Sequence, residues 1–255
     1  MRIFRILLAL VLVAGLAAAV ILPPRDHVLG SFSTSLSGRT RGQRENAQRA
    51  AHALDGVVIQ PGGVFSFNHT VGSWTAGRGF VRAPVSYDGE LIVDWGGGVC
   101  QTSSTLYNAA LLAGLDIVER NRHAWVPGYV PPGRDAAVAQ FDVDLRLRNP
   151  YPWPVRLRAT TSNDSLGFEV LGRDDGPMAS VQVEPQSAIH PAEVLRADDR
   201  LPSGQRRLLT HGRPGIRVAV YRSFVRGPHS GQRELLSRDA YPAMNRVVSI
   251  GSPSP

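Results

Sequence analysis

The chain holds one cysteine and no lysine among its 255 residues. A single thiol excludes an internal disulfide and leaves no second cysteine to share a metal. The seven histidines show no HExxH-type spacing, so no metal site is expected. No cofactor is expected either. Without lysine, all 28 basic residues are arginine, which reads as the codon bias of a GC-rich genome and carries little functional weight. Against 21 acidic residues they leave a formal charge of +7, which suits anionic partners such as a membrane surface or a cell-wall polymer. The arginines are scattered, with no helix-turn-helix or zinc-finger pattern, so no nucleic-acid partner is expected.

Long apolar runs are equally scarce. The one present extends from Ile6 to Leu22, after Arg2 and Arg5 and before Pro23-Pro24. It has the n-region and h-region of a secretory leader and matches the ~17-residue lower limit of a spanning helix. Residues 1–24 are therefore expected to be an uncleaved signal anchor in the cytoplasmic membrane. A signal peptide cleaved near Ala17-Ala18-Ala19 is the alternative. Either way the rest of the chain faces outward, on the outer face of the cytoplasmic membrane or secreted to the wall. Outside the cytoplasm structural cysteines come in pairs, which makes a lone one informative.

Residues 25–44, rich in Ser, Thr, Gly and Arg, read as a tether. Ala47, Ala50, Ala51 and Leu54 fall at helical spacing within Asn46 to Leu54. Val57 to Ile59 and Val64 to Phe67 read as short strands about a Pro61-Gly62-Gly63 turn. The clearest helix runs from Thr102 to Leu115, with an apolar stripe of Leu106, Ala109, Ala110 and Ala113 and Gly114 as C-cap. From Phe141 to Val170 the pattern is a three-strand meander, with Phe141, Val143, Leu145 and Leu147 on one face. Gly172 to Gly176 marks a boundary, and strands and turns follow it. The expected fold is α+β: a glycine-rich loop and helix packed on a mostly antiparallel sheet. One domain is expected over 45–172 and a small all-β region over 173–255.

The cysteine lies in Gly96-Gly97-Gly98-Val99-Cys100-Gln101-Thr102. A thiol attacks as thiolate, and a helix N-terminus lowers its pKa. Cys100 at the start of a helix is thus a candidate nucleophile, with the main-chain amides of Gln101 and Thr102 as oxyanion donors. Gly97 and Gly98 remove side chains on the approach, which would let a peptide substrate lie close to the backbone. His123, one helix and one strand later, is the candidate base. Asp135, in a glycine-bearing loop, is its candidate orienting group. The other six histidines carry no comparable context.

These strings resemble the VanW domain: PGGVFSFN, GRGFVRAPV, GGGVCQTSSTLYNAALLAGLDIVER, His123, Tyr129-Val130-Pro131 and GRDA, closed by FDVDLRLRNPYPWPVRL. The likeness covers roughly Ser33 to Gly172. Some members are L,D-transpeptidases that build 3-3 cross-links between peptidoglycan stem peptides, and their nucleophile maps onto Cys100. On that resemblance the chain is expected to be a wall-facing cysteine acyltransferase, and by their position Arg120 or Arg122 would meet a stem carboxylate. A cysteine hydrolase of stem peptides and a non-catalytic wall-binding or glycopeptide-resistance accessory protein are the alternatives. The tail from Arg200 to Gly251 resembles the small five-glycine β domain that follows some VanW domains, which implies a wall-glycan partner.

Overall fold

The computed structural model describes residues 26–252 apart from 88–89, 174–175, 177 and 227–228. The leader expected over 1–24 lies outside the described residues. Among those described, no helix is long and apolar enough to cross a membrane.

Strand β1 (His27–Ser35) leads into α1 (Arg41–Leu54), then β2 (Val58–Ile59), β3 (Val64–Ser66), the short α2 (Phe67–Val71) and a hairpin of β4 (Arg82–Tyr87) and β5 (Glu90–Trp95). Helix α3 (Val99–Leu112) follows, with β6 (Asp116–Glu119), β7 (Arg146–Arg148), β8 (Val155–Thr161) and β9 (Ser165–Gly172). The C-terminal part supplies β10 (Met178–Ile189), β11 (Glu193–Ala197), β12 (Arg206–Thr210), β13 (Gly215–Arg226), β14 (Arg233–Tyr241) and β15 (Arg246–Ile250). Three sheets of order β1-β9-β8-β2, β3-β7-β6 and β10-β13-β14 are antiparallel. In the sheet β11-β15-β12, the β11–β15 pair is parallel.

The expected α+β class is overturned. Among the described residues strands account for 45% and helices for 17%, so the fold is predominantly β, built from several small sheets. The C-terminal part adds six strands and no helix among the described residues, and this tips the balance towards β. Strands β11 and β12 are exposed at every residue, so they carry no alternating pattern to read. The meander also differs from expectation. Strand β7 pairs with β3 and β6, whereas β8 and β9 belong to a different sheet. Phe141 is 92% exposed with φ of 81°, so the expected apolar face does not extend to it.

Helix α1 begins earlier than its alanine spacing shows, because Thr40 and Gln43 form a capping box. The Gln43 amide donates to the Thr40 hydroxyl at 3.3 Å, and the Thr40 amide donates to the Gln43 side chain at 3.0 Å. Helix α3 begins at Val99 after Gly98, whose φ of 109° is open only to glycine. It ends in a Schellman turn: Leu115 donates to the Ala110 carbonyl at 3.0 Å and Gly114 to Leu111 at 3.1 Å. The helix packs against α1, β1 and β9 and is buried on its polar as well as its apolar flank. Its hydroxyls are paired: Thr102 donates to the Ala47 carbonyl at 3.0 Å, and Thr105 donates to the Gln101 carbonyl at 2.7 Å. Leaving one such group unpaired would cost about 1–3 kcal/mol. From the C-terminal part, buried Arg222 on β13 donates to the carbonyls of Leu115 at 2.7 Å and Leu111 at 3.4 Å, at the far end of α3.

Candidate active site

Cys100 occupies the first turn of α3 and is partly buried. Its sulfur lies 3.3 Å from the Val138 carbonyl, an acceptor for the thiol proton. The main chain continues through β6 to His123, whose side chain faces the Cys100 sulfur closely enough to act on its titration. On its other side the ring Nδ1 lies 2.8 Å from Oδ2 of Asp135. With Nδ1 engaged by the carboxylate, Nε2 is the nitrogen left for the thiol. The His123 main-chain amide also donates to Asp135 Oδ2 at 2.7 Å, so one carboxylate oxygen holds both ring and backbone.

Asp135 is fully buried, which a carboxylate tolerates only when its oxygens are well bonded. Its Oδ1 accepts from Arg120 at 3.0 Å and from the Tyr241 hydroxyl. Burial pushes the carboxyl up, but the His123 hydrogen bond and the Arg120 charge prevail and hold it below its usual range. Burial would lower His123, yet the hydrogen bonds to Asp135 and Cys100 push it up to about 9. Burial likewise raises Cys100, and the hydrogen bond and charge of His123 outweigh it, so the thiol sits below its ordinary value. All three shifts favour the charged forms: thiolate, imidazolium and carboxylate. Such an arrangement can attack an acyl carbon and hand a proton to the departing group.

The remaining expected residues take different places. The Gln101 side chain turns away and donates to Thr34 at 3.0 Å and to the Ser35 carbonyl at 2.8 Å. Thr102 is likewise held against α1. The Gln101 amide donates to the Gly98 carbonyl at 3.1 Å, and the Val99 amide to Gly96 at 2.9 Å. Gly97 and Gly98 leave no open groove. A β-carbon on Gly97 would come within 2.5 Å of the Pro84 carbonyl oxygen, so that space belongs to the chain's own backbone. Arg120 is buried and committed to Asp135 and to Asp239, which it meets at 2.8 Å. Arg122 is exposed, and it donates to the His123 carbonyl at 2.8 Å.

Several residues at the site were not legible beforehand. The Tyr129 ring stands edge-on to His123, with centroids 6.4 Å apart, and the Arg39 guanidinium lies 5.1 Å from the centre of that tyrosine ring. Ser104 accepts from the Ala136 amide at 3.0 Å and tethers the loop bearing Asp135 to α3. Asp239 and Tyr241 come from β14, more than a hundred positions after Asp135, and no local signal marks them. A cleft of about 530 Å³ lined by Tyr107, Arg120, Arg222, Glu234 and Asp239 lies behind the Arg120–Asp135 pair rather than at the thiol.

The sequence profile described as VanW like protein matches residues 42–171, and that of the G5 domain matches 180–252. An uncharacterized protein of Bacillus subtilis (strain 168), YoaR, is 41% identical over 57% of this chain and 48% of its own length. The vancomycin B-type resistance protein VanW of Enterococcus faecalis (strain ATCC 700802 / V583) is 28% identical over 54% of this chain and 52% of its own. The chain thus spans about half the length of these curated relatives. Among solved structures, the G5 domain of HP0197 is 27% identical over 29% of this chain and 97% of its own, at a TM-score of 0.20. With the VanW profile matching half of its residues, around the cysteine, histidine and aspartate just described, the chain belongs to the VanW family.

Proposed function

We propose that the chain is a cell-wall cysteine acyltransferase of the L,D-transpeptidase type, acting on peptidoglycan stem peptides. One observation carries this reading: His123 faces the Cys100 sulfur on one side and hydrogen-bonds buried Asp135 on the other. The resistance-protein description of the Enterococcus relative supports a wall-related role.

In the first half-reaction the Cys100 thiolate attacks the carbonyl of the third stem residue, a diamino acid. The carbon–sulfur bond forms and the carbonyl π electrons move to oxygen. The Cys100 amide, between the committed amides of Val99 and Gln101, is the oxyanion donor in this reading. The carbon–nitrogen bond then breaks, and the terminal D-alanine leaves as amine with the proton of His123. In the second half, the side-chain amine of a neighbouring stem attacks the thioester and gives a proton to His123. A new amide forms and the thiolate returns. Asp135 stays ionised throughout and fixes the tautomer. Arg122 is the arginine available to a stem carboxylate, since Arg120 is committed within the protein. The G5-matched region would hold wall glycan nearby, whether the protein is anchored or secreted.

Incubation with purified disaccharide-tetrapeptides tests the reading. Cross-linked dimers are expected, and they should vanish with Cys100→Ser. Shortened monomers alone would indicate a hydrolase. Unchanged substrate with no acyl-enzyme mass would leave a non-catalytic accessory role.

A further inference from the structure

The carboxylate of Asp135 is held from both regions of the chain. Arg120, at the end of β6, donates to Oδ1 at 3.0 Å and to the Asp135 carbonyl at 2.7 Å. The Tyr241 hydroxyl, on β14, donates to the same Oδ1. That hydroxyl also accepts from the Gly133 amide at 2.8 Å, so it fixes the turn that presents Asp135 as well as the acid itself. Arg120 is in turn gripped at 2.8 Å by both oxygens of Asp239, two residues before Tyr241. Tyr241 is 1% exposed and Asp135 is inaccessible to solvent, so water cannot replace the tyrosine if it is removed. A β-carbon on Gly133 would meet Val220 at 2.4 Å and Val218 at 3.2 Å, so the turn sits directly against β13.

From this contact we infer that Tyr241 is a positioning residue for the Cys100–His123–Asp135 chemistry, and that the C-terminal region completes the active site rather than serving only as a wall-binding appendage. The inference rests on the triad reading above. Oδ2 serves His123 and Oδ1 serves Arg120 and Tyr241. With the hydroxyl gone, one oxygen loses a donor in a dry site, and the turn at Gly133 loses its tie. The carboxylate can then rotate away from the imidazole. The imidazolium loses support, and the thiolate loses its counter-charge. The charged and titratable groups around this point are Cys100 on α3, Arg120, His123, Tyr129, Arg134, Asp239, and Arg122, which lies 5.5 Å from the Tyr241 ring centre. Tyr107 lies beneath Arg120 at 5.6 Å.

The test is the rate of Cys100 alkylation by iodoacetamide, followed by intact mass from pH 5 to 10 on the chain containing both regions. Tyr241→Phe is expected to move the acidic limb to higher pH and to slow alkylation at pH 6 about tenfold, the size of one hydrogen bond to a charged group. Asp135→Asn should move the limb in the same direction. A profile for Tyr241→Phe that superimposes on the parent beside a shifted Asp135→Asn overturns this inference alone. Superimposable profiles for both variants overturn it together with the triad reading. Should Tyr241→Phe fail to fold, Tyr241→Leu, which also removes the hydroxyl, takes its place and the same shift is expected. An unshifted profile there overturns the inference.

Discussion

The carbonyl oxygen of Gln43 on α1 sits where a side chain on Gly98 would have to begin: a β-carbon there would lie 2.1 Å away. The glycine run before the cysteine therefore lets two main chains touch, and that contact sets where α3 starts. Gly98→Ala meets this clash and an unfavourable φ of 109° together. It is expected to destabilise the fold by about 2 kcal/mol or more. Thermal unfolding should show a midpoint lowered by about 4–8 °C.

Asn46 gives a second test of the same junction. It is fully buried, and its side-chain amide donates to the carbonyls of Val81 at 2.9 Å and Gly97 at 3.0 Å. Its oxygen accepts from the Val81 amide at 2.9 Å. Asn46→Ala leaves three main-chain groups without their partner, at an expected cost of about 2–4 kcal/mol. Denaturant unfolding should show a lower midpoint with an unchanged slope.

Loss of the imidazole separates a general base from a structural histidine. His123→Ala is expected to slow acyl-enzyme formation by about 10²–10⁴-fold, measured by stopped incubations and intact mass. Retention of the parental rate would assign activation of the thiol to the helix terminus alone.

The pH dependence has a defined sign. In the proposed reaction His123, pushed up to about 9, keeps its proton through neutrality and would give it to the leaving amine. The turnover profile is expected to be bell-shaped, falling as pH rises through about 9. Its acidic limb should lie below the ordinary thiol value, because Cys100 is shifted down. Stability carries a matching alkaline step. The folded imidazole binds its proton more tightly than the unfolded one. Its contribution is complete below the ordinary imidazole pKa of ~6.5 and is lost as pH rises through about 9. Thermal midpoints of the parent and His123→Ala should therefore converge above that pH.

What the sequence discloses about the site is its order along the chain. A thiol at a helix start, a histidine after the next strand and an aspartate in a glycine turn are local features, and the structure draws these three together. The second layer was hidden because it is contributed by β14, and nothing in the run SRDAY marks its tyrosine as a partner of Asp135. The helix stripe was half legible. Leu106 and Ala110 announce a buried face, but Thr102 and Thr105 look solvent-facing until the hydrogen bonds that bury them are known. One strongly patterned helix suggests more helical content than the fold holds, and exposed edge strands such as β11 have no periodicity to find.

The reach of Arg222 to the last carbonyls of α3 bears on how this chain can be divided. The helix that bears Cys100 is tied at its trailing end by one strand of the G5-matched region, and Asp135 is tied by the neighbouring strand. Expressing residues 26–172 alone would remove an arginine cap and a tyrosine ligand in one cut. Inactivity of such a fragment would report on its missing partners and not on the chemistry of its cysteine. An exchange of tails between relatives would have to transplant both side chains to give a working hybrid.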